Sequence, residues 1–563
     1  MTVVKLVSSA TDGTGDYICD GHADQTVINN ALSWMSAGTD RQVYMRGPFT
    51  YGITDQLFIG NNTDWTGDST ACIRVEDYAC GNNIPYGSSG AYCVFPDGTP
   101  VIASKSGAIS NIKIHGFEID GNCQNQYLTL GYVGHLHTPR SAGSGVERLI
   151  GLSSPSNVYL YDMHIHDAFD EALMVFYGRN IQCYNNVLTN LEHDAVFLKG
   201  VTGNGNSIHH NTVEGIGSDC IRVGSSQNVD IYNNSLTPYL GPNATSATNG
   251  QNGMQISNES NYTILINNIN VYNNYIVNNG LAGIEIIDVR NTAGSKAQTI
   301  HIYNNTINNN GSSGWATYCS GINLGPWGNG VLIEGNTISG NYQNGIQVAS
   351  AISGSGFTVN SRNNNISNTI GTKYGSKYPY AHPGYGIANS VSKSTMNVIS
   401  TNDIMKNNLK GNYYGAVDVI STIQDQIQID TNMGMRGSNN LAAINLIELT
   451  SGIGIAGIVI PDTKGILEIS VDIGMYGSDP SLEGGDDGED IKEGDYGLMI
   501  PTASHHYIFH KYKTPSVGQK ALIYPSHKSG TYYLLRVAEH LLDGQPVVII
   551  PDKTGKFWPI LAR

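Results

Sequence analysis

Charge is what this chain has least of. Its 563 residues carry 30 Lys and Arg against 46 Asp and Glu, 13% in all, and the formal net charge is −16. With no basic patch to neutralise phosphates, nucleic acid is set aside as a partner. No apolar stretch is long enough to cross a bilayer, so no membrane insertion is expected. None of the eight cysteines forms a Cys-x-x-Cys pair, so a thiolate zinc site is not expected either. The start, Met1-Thr2-Val3-Val4-Lys5-Leu6-Val7, is too short, and the sequence after it too polar, for a secretory signal. Either a signal was removed, or the protein leaves its cell by another route, such as inside an assembled virus particle.

Low charge with 67 glycines could mean disorder, but β-branched runs recur throughout and need a core to bury them. Between those runs an asparagine returns in a constant setting: Tyr184-Asn185-Asn186-Val187-Leu188, His209-His210-Asn211-Thr212-Val213 and Tyr232-Asn233-Asn234-Ser235-Leu236. It comes back at Asn274, Asn305, Asn336 and Asn364. A repeat of roughly twenty to fifty residues marks a solenoid, and here its units are strands and Asn/Gly turns. Stacked buried amides supply each other's donors and acceptors, so the Asn rows read as scaffold. Met163 takes the same ladder place one unit earlier, and Cys183 falls where other units have Ile208, Ile231, Val271 and Ile302, which predicts a buried thiol.

Each unit has a second strand. Aligned, these begin Glu171-Ala172-Leu173-Met174-Val175, Asp194-Ala195-Val196-Phe197-Leu198 and Asp219-Cys220-Ile221-Arg222-Val223. They continue through Met254-Gln255-Ile256, Ile284-Glu285-Ile286, Ile322-Asn323-Leu324 and Ile346-Gln347-Val348. Alternation turns the aliphatics inward and leaves Met174, Phe197, Arg222, Gln255, Glu285, Asn323 and Gln347 in one outward row. Pro238 to Gln251 reads as a loop inserted on one face.

The N-terminus reads as a plug for the solenoid's open end. Asp24 is the expected N-cap of a helix that buries Ile28, Ala31, Leu32 and Met35, and a strand at Gln42–Arg46 follows. Cys72, Cys80 and Cys93 share a loop-rich stretch in which one local disulfide is expected. Past about Gly437 the Asn rows stop and Ile-Pro hairpin motifs begin, as at Met499-Ile500-Pro501. The loop Asp479 to Asp495 carries Glu483, Asp486, Asp487, Glu489, Asp490 and Glu493, and reads as a solvated loop or a Ca2+ site. The expected fold class is all-β: a right-handed parallel β-helix with an N-terminal capping helix and a small C-terminal antiparallel β domain. The expected divisions are 1–109 for the cap and first coils, 110–437 for the β-helix body and 438–563 for the C-terminal domain.

Coils stack at roughly 4.8 Å, so equivalent places in neighbouring units are close. Glu171, Asp194 and Asp219 share the first place of three consecutive second strands, and are the candidate catalytic carboxylates. Glycoside cleavage uses two carboxylates about 5–5.5 Å apart for retention or about 6.5–9.5 Å for inversion, and crowding raises one pKa. Asp170, His193, Phe197, Lys199, Arg222, Gln255 and Glu285 are the candidate substrate-binding residues, with Arg222 suited to an anionic sugar and Phe197 to stacking on a ring. Asp and Asn also suit strand-start turns, so a purely structural role for the acids stands beside the catalytic one. His164 and His166 lie one unit earlier and read chiefly as structural.

The segment Asp20-Gly21-His22-Ala23-Asp24, with Val43 to Tyr51 after it, resembles the N-terminal cap of the pectate-lyase-like superfamily. Gly217-Ser218-Asp219-Cys220-Ile221 is similar to the G-x-D-D-C-I segment of polygalacturonases, which implies a general-acid role for Asp219. Ser218 stands in place of that pattern's first Asp, and no Gly-His-Gly follows in the next unit. The whole organisation resembles viral tailspikes. That resemblance implies a homotrimer on the virion tail surface or outside the cell, binding and cleaving a host surface polysaccharide. A free secreted polysaccharide lyase, hydrolase or epimerase, and a noncatalytic adhesin or fibre, are the alternatives.

Overall fold

The computed structural model describes the chain except residues 1, 78–99, 106, 126–147, 169–170, 192, 238–251, 259–263, 289–297, 312–318, 326–330, 349–356, 372–383, 391–395, 407, 410, 416, 421–429, 432–469, 472–495, 502–506, 513–532 and 537–563. Three long parallel sheets of 15, 12 and 12 strands carry the fold. The chain visits the first, second and third sheets in turn and then steps to the next coil, which makes a right-handed parallel β-helix. Isoleucine, valine and leucine from all three sheets fill the interior, among them Val158 and Ile208 from the first, Ile165 and Val213 from the second, and Leu173 and Ile221 from the third. A further three-stranded antiparallel sheet joins Tyr496–Pro501 to Tyr507–Tyr512 and Tyr533–Arg536. The inserted loop 238–251, the acidic loop 479–495 and the other Ile-Pro motifs lie outside the described residues. Among the described residues, no helix is long and apolar enough to cross a membrane.

The helix Gln25–Ser36 buries Ile28, Ala31, Leu32 and Met35, as its spacing predicts. It also closes strand edges. Asn29 Oδ1 accepts the N–H of Phe58 at 2.7 Å, and Gln25 Oε1 accepts that of Thr54 at 3.1 Å. These are donors of the outermost coil, which would otherwise face solvent as an open edge. Asp24 corrects the sequence expectation in part. It sits at the N-cap, but its carboxylate turns back to accept the N–H groups of Asp20 and Gly21 and makes no cap hydrogen bond.

The Asn doublets divide into two jobs. The first member of each, such as Asn185, Asn233, Asn273 and Asn304, holds a left-handed backbone at φ near +55°, which asparagine tolerates better than other side chains. The second member builds a buried ladder, in which Asn186, Asn211, Asn234, Asn274, Asn305 and Asn336 each donate from Nδ2 to the Oδ1 of the next at 2.9–3.0 Å. Asp403 ends it by accepting from Asn364 at 2.9 Å. On the first sheet His115, Tyr161, Tyr184, His209, Tyr232, Tyr272 and Tyr303 stack ring on ring at 4.3–4.9 Å. Their faces are occupied by each other, so this row is packing rather than a sugar platform. Cys183 is fully buried beside Ile208, as expected. Cys72 is a free thiol, whereas Cys80 and Cys93 lie outside the described residues.

Candidate functional site on the third sheet

The outward row read from alternation is in register: Met174, Phe197, Arg222, Gln255, Glu285, Asn323 and Gln347 pair strand to strand. Its exposure differs from the expectation. Met174, Phe197, Glu285, Asn323 and Gln347 are buried. Their neighbours cover them: the Arg222 guanidinium lies 4.6 Å from the Phe197 ring centre, and amides of Asn252, Gln255 and Asn323 close over Glu285.

Glu171, Asp194 and Asp219 occupy one place in successive coils, because Leu173, Val196 and Ile221 pair in sequence. All three are buried. Their geometry follows the Asn ladder. Asp194 Oδ1 accepts the N–H of Asp219 at 3.0 Å, and Asp219 Oδ1 accepts that of Asn252 at 3.3 Å. Asn252 Oδ1 then accepts that of Ala282 at 3.0 Å. Elsewhere an amide passes a hydrogen on to the next rung. A carboxylate has none to pass, so two adjacent acids put like charges against each other in a dry place.

The surroundings respond to that conflict. Burial, and then the charge of Asp194, push the Asp219 carboxyl up to about 7, against the pull of Arg222. Burial also raises Glu285, opposed by the amide of Asn252, which reaches Asp219 and Glu285 at 2.9 Å each. Arg222 Nη1 lies 3.7 Å from Asp194 Oδ2, and His193 Nδ1 lies 3.5 Å from the same oxygen, which has no hydrogen-bond partner among the described residues. Glu171 is held by Arg148 at 2.8 Å and by His193 at 3.2 Å. The His193 side chain is 40% exposed and so links the buried acids to solvent. Glu171, His193 and Asp194 also bring three ligand atoms close enough to hold a metal ion.

Sequence reasoning missed Arg148 and Phe176. Arg148 takes the first place one coil before Glu171, because Ile150 pairs with Leu173. A long insertion before it hides the repeat, so no spacing signal was available. Phe176 pairs with Lys199 and could have been found by extending the alternation two places. Together these residues alternate cation and ring along the outer wall. Arg148 lies 5.7 Å from the Phe176 ring centre, and Lys199 lies 6.0 Å from Phe176 and 5.4 Å from Phe197. Asp170 falls outside the described residues.

A second cluster stands on the second sheet. His166 lies against Glu118 at 3.1 Å and Asp167 at 2.9 Å, and Asp120 is 3.9 Å away. Burial alone would lower His166, but hydrogen bonds to Asp167 and Glu118 outweigh it and raise the group to about 9. The nearby His164 is lowered by burial and by His166.

Coils, Asn ladder and capping helix together define a right-handed parallel β-helix protein. A family described as "Disaggregatase related" matches residues 266–436. No curated protein matches the chain. Among solved structures, the A-module of mannuronan C-5 epimerase AlgE6 from Azotobacter vinelandii is similar at 16% identity, over 74% of this chain and 99% of that one, with TM-score 0.42. The surface protein and adhesin PfbA of Streptococcus pneumoniae is similar at 13% identity, over 74% and 100%, with TM-score 0.42. The catalytic unit of a thermostable α-1,3-glucanase from Streptomyces thermodiastaticus is similar at 15% identity, over 73% and 65%, with TM-score 0.46.

Proposed function

We propose that this chain binds an anionic polysaccharide along the outer wall of its third sheet and cleaves it with the Asp194–Asp219 pair. One observation carries the reading: two adjacent rungs hold buried carboxyls where the fold elsewhere uses amides, and burial beside Asp194 pushes the Asp219 carboxyl up. Amides would hold the same backbone groups without that conflict, whereas acid–base cleavage needs a proton-holding acid beside a second carboxyl. One coil step, roughly 4.8 Å, is near the carboxylate spacing of about 5–5.5 Å used for retaining glycoside cleavage. Both carboxyls are buried, so in this reading His193 and Arg222, which lie against Asp194, move aside to admit the sugar. Asp219 then protonates the leaving oxygen while Asp194 attacks the anomeric carbon, and water later releases the sugar from Asp194. Arg148, Lys199 and Arg222 stand close to Phe176 and Phe197 in a chain of net charge −16. Such a cationic, aromatic strip favours sugars bearing carboxylates.

The finer setting we propose is a tailspike-like depolymerase acting on a host surface glycan, as a homotrimer on a virion tail or outside the cell. The N-terminal plug and the solenoid suit that setting. The test is viscosity loss and reducing-end release on a panel of acidic and neutral polysaccharides, with Asp194→Asn and Asp219→Asn alongside. Cleavage of an acidic glycan that both substitutions abolish supports the proposal. Binding without cleavage would make the chain an adhesin, and cleavage that survives both substitutions would move the chemistry elsewhere.

A further inference from the structure

The cluster on the second sheet takes no part in the proposed glycan site. Glu118 and Asp120 lie two places apart on one strand, and His164 and His166 two places apart on the next. The strands pair in register, with Glu118 beside His164 and Asp120 beside His166. Alternation puts all four on the outer face. His166 Nε2 is 3.1 Å from Glu118 Oε1, and His164 Nδ1 is 3.7 Å from Glu118 Oε2. One ligand atom from each of these three residues lies within 4.8 Å of the other two.

We propose that Glu118, His164 and His166 bind a first-row transition-metal ion of the zinc class, which clamps two coils of the solenoid together. Two imidazoles and one carboxylate form a donor set such ions accept. Ligand bonds of about 2.0–2.2 Å put the atoms of a tetrahedral shell roughly 3.3–3.6 Å apart. His166 Nε2 stands 3.1 Å from Glu118 Oε1 and His164 Nδ1 3.7 Å from Glu118 Oε2, so each imidazole is near that separation from one oxygen of the carboxylate. His166 presents Nε2 to the site and gives Nδ1 to Asp167 at 2.9 Å. A carboxylate behind a ligating imidazole fixes its tautomer and orientation. Among the described residues, Glu118, Asp120 and Asp167 set three carboxylates against the guanidinium of Arg74, which lies 3.2 Å from Asp120, and the imidazole of His166, whose Nε2 proton an incoming ion would displace. The patch therefore attracts cations. A calcium ion would want more oxygen ligands than Glu118 brings. His164 forms the exposed side, which leaves a position for water. Glu118 and His166 are 48 residues apart in sequence, so the ion would cross-link positions distant along the chain.

The test uses the whole chain, stripped with a chelator and titrated with zinc chloride by calorimetry near neutral pH, with the melting temperature followed in parallel. The expected result is one zinc ion per chain and a higher melting temperature. Zinc affinity should fall at least about 10-fold for His164→Ala and for Glu118→Gln, and the rise in melting temperature should shrink with it. His164 is exposed, so its removal leaves the fold intact, as circular dichroism will report. No saturable binding, or binding undiminished in both variants, overturns the proposal. So does binding lost only in His193→Ala, because that would assign the ion to the Glu171–His193–Asp194 group on the third sheet.

Discussion

Asp219 Oδ1 accepts both the backbone N–H and the side-chain amide of Asn252, at 3.3 and 2.9 Å. A carboxyl group thus does an amide's work inside the wall, next to a second carboxyl that does the same.

The stability of this rung should depend on pH with a definite sign. The folded state raises Asp219 from 3.8 to about 7, so it holds the proton more tightly than the unfolded chain does. That contribution is complete below about pH 4 and is lost as pH rises through about 7. Asp219→Asn keeps the amide geometry without the charge. It should therefore be more stable than the native chain at pH 8, by on the order of 2–4 kcal/mol, with the difference shrinking towards pH 4. Urea midpoints at the two pH values check this, and an equal difference at both would mean Asp219 is not held neutral.

Members of one Asn doublet should respond differently. Asn234 accepts from the backbone and amide of Asn211 and donates to Ile208 O and Asn274 Oδ1, all while buried. Asn234→Ala should cost on the order of 2–4 kcal/mol in chemical denaturation. Asn233 supplies a left-handed turn at φ +54°. Asn233→Gly suits that backbone and should change stability by less than about 1 kcal/mol.

Lys199 tests the anionic-substrate reading without touching the buried acids. Lys199→Ala should weaken binding of an acidic polysaccharide about tenfold and flatten its salt dependence, with neutral glycans unaffected. Affinity electrophoresis at two ionic strengths would measure it. A loss that salt does not modulate would point to packing on Phe176 and Phe197 instead.

Light scattering tests the assembly expected of a tailspike. The native mass should be three times the 60.4 kDa of one chain, and the trimer should resist detergent on an unheated gel. A monomer would favour a free polysaccharide-active enzyme.

Much of the site was legible because strand periodicity and coil spacing are local rules. Asp194 and Asp219 could be aligned by counting forward from Asn186 and Asn211, each of which stands eight residues earlier, and the register agrees with that alignment. Arg148 was not legible, since an insertion separates it from the repeat. The burial of Phe197 and Glu285 was not legible either, because it depends on which neighbours fold over them.

By itself, the sequence determined that the chain is a solenoid of strands, which turns carry asparagine and which residues share a face. Those properties follow from a period of two along each strand and a repeat along the chain. Only the tertiary structure decided that the acids are buried, that Arg222 and His193 reach Asp194, and that Glu118 meets His164 and His166. The physical reason is that charge, burial and ligand geometry depend on distances between coils, and those distances exist only once the coils have stacked.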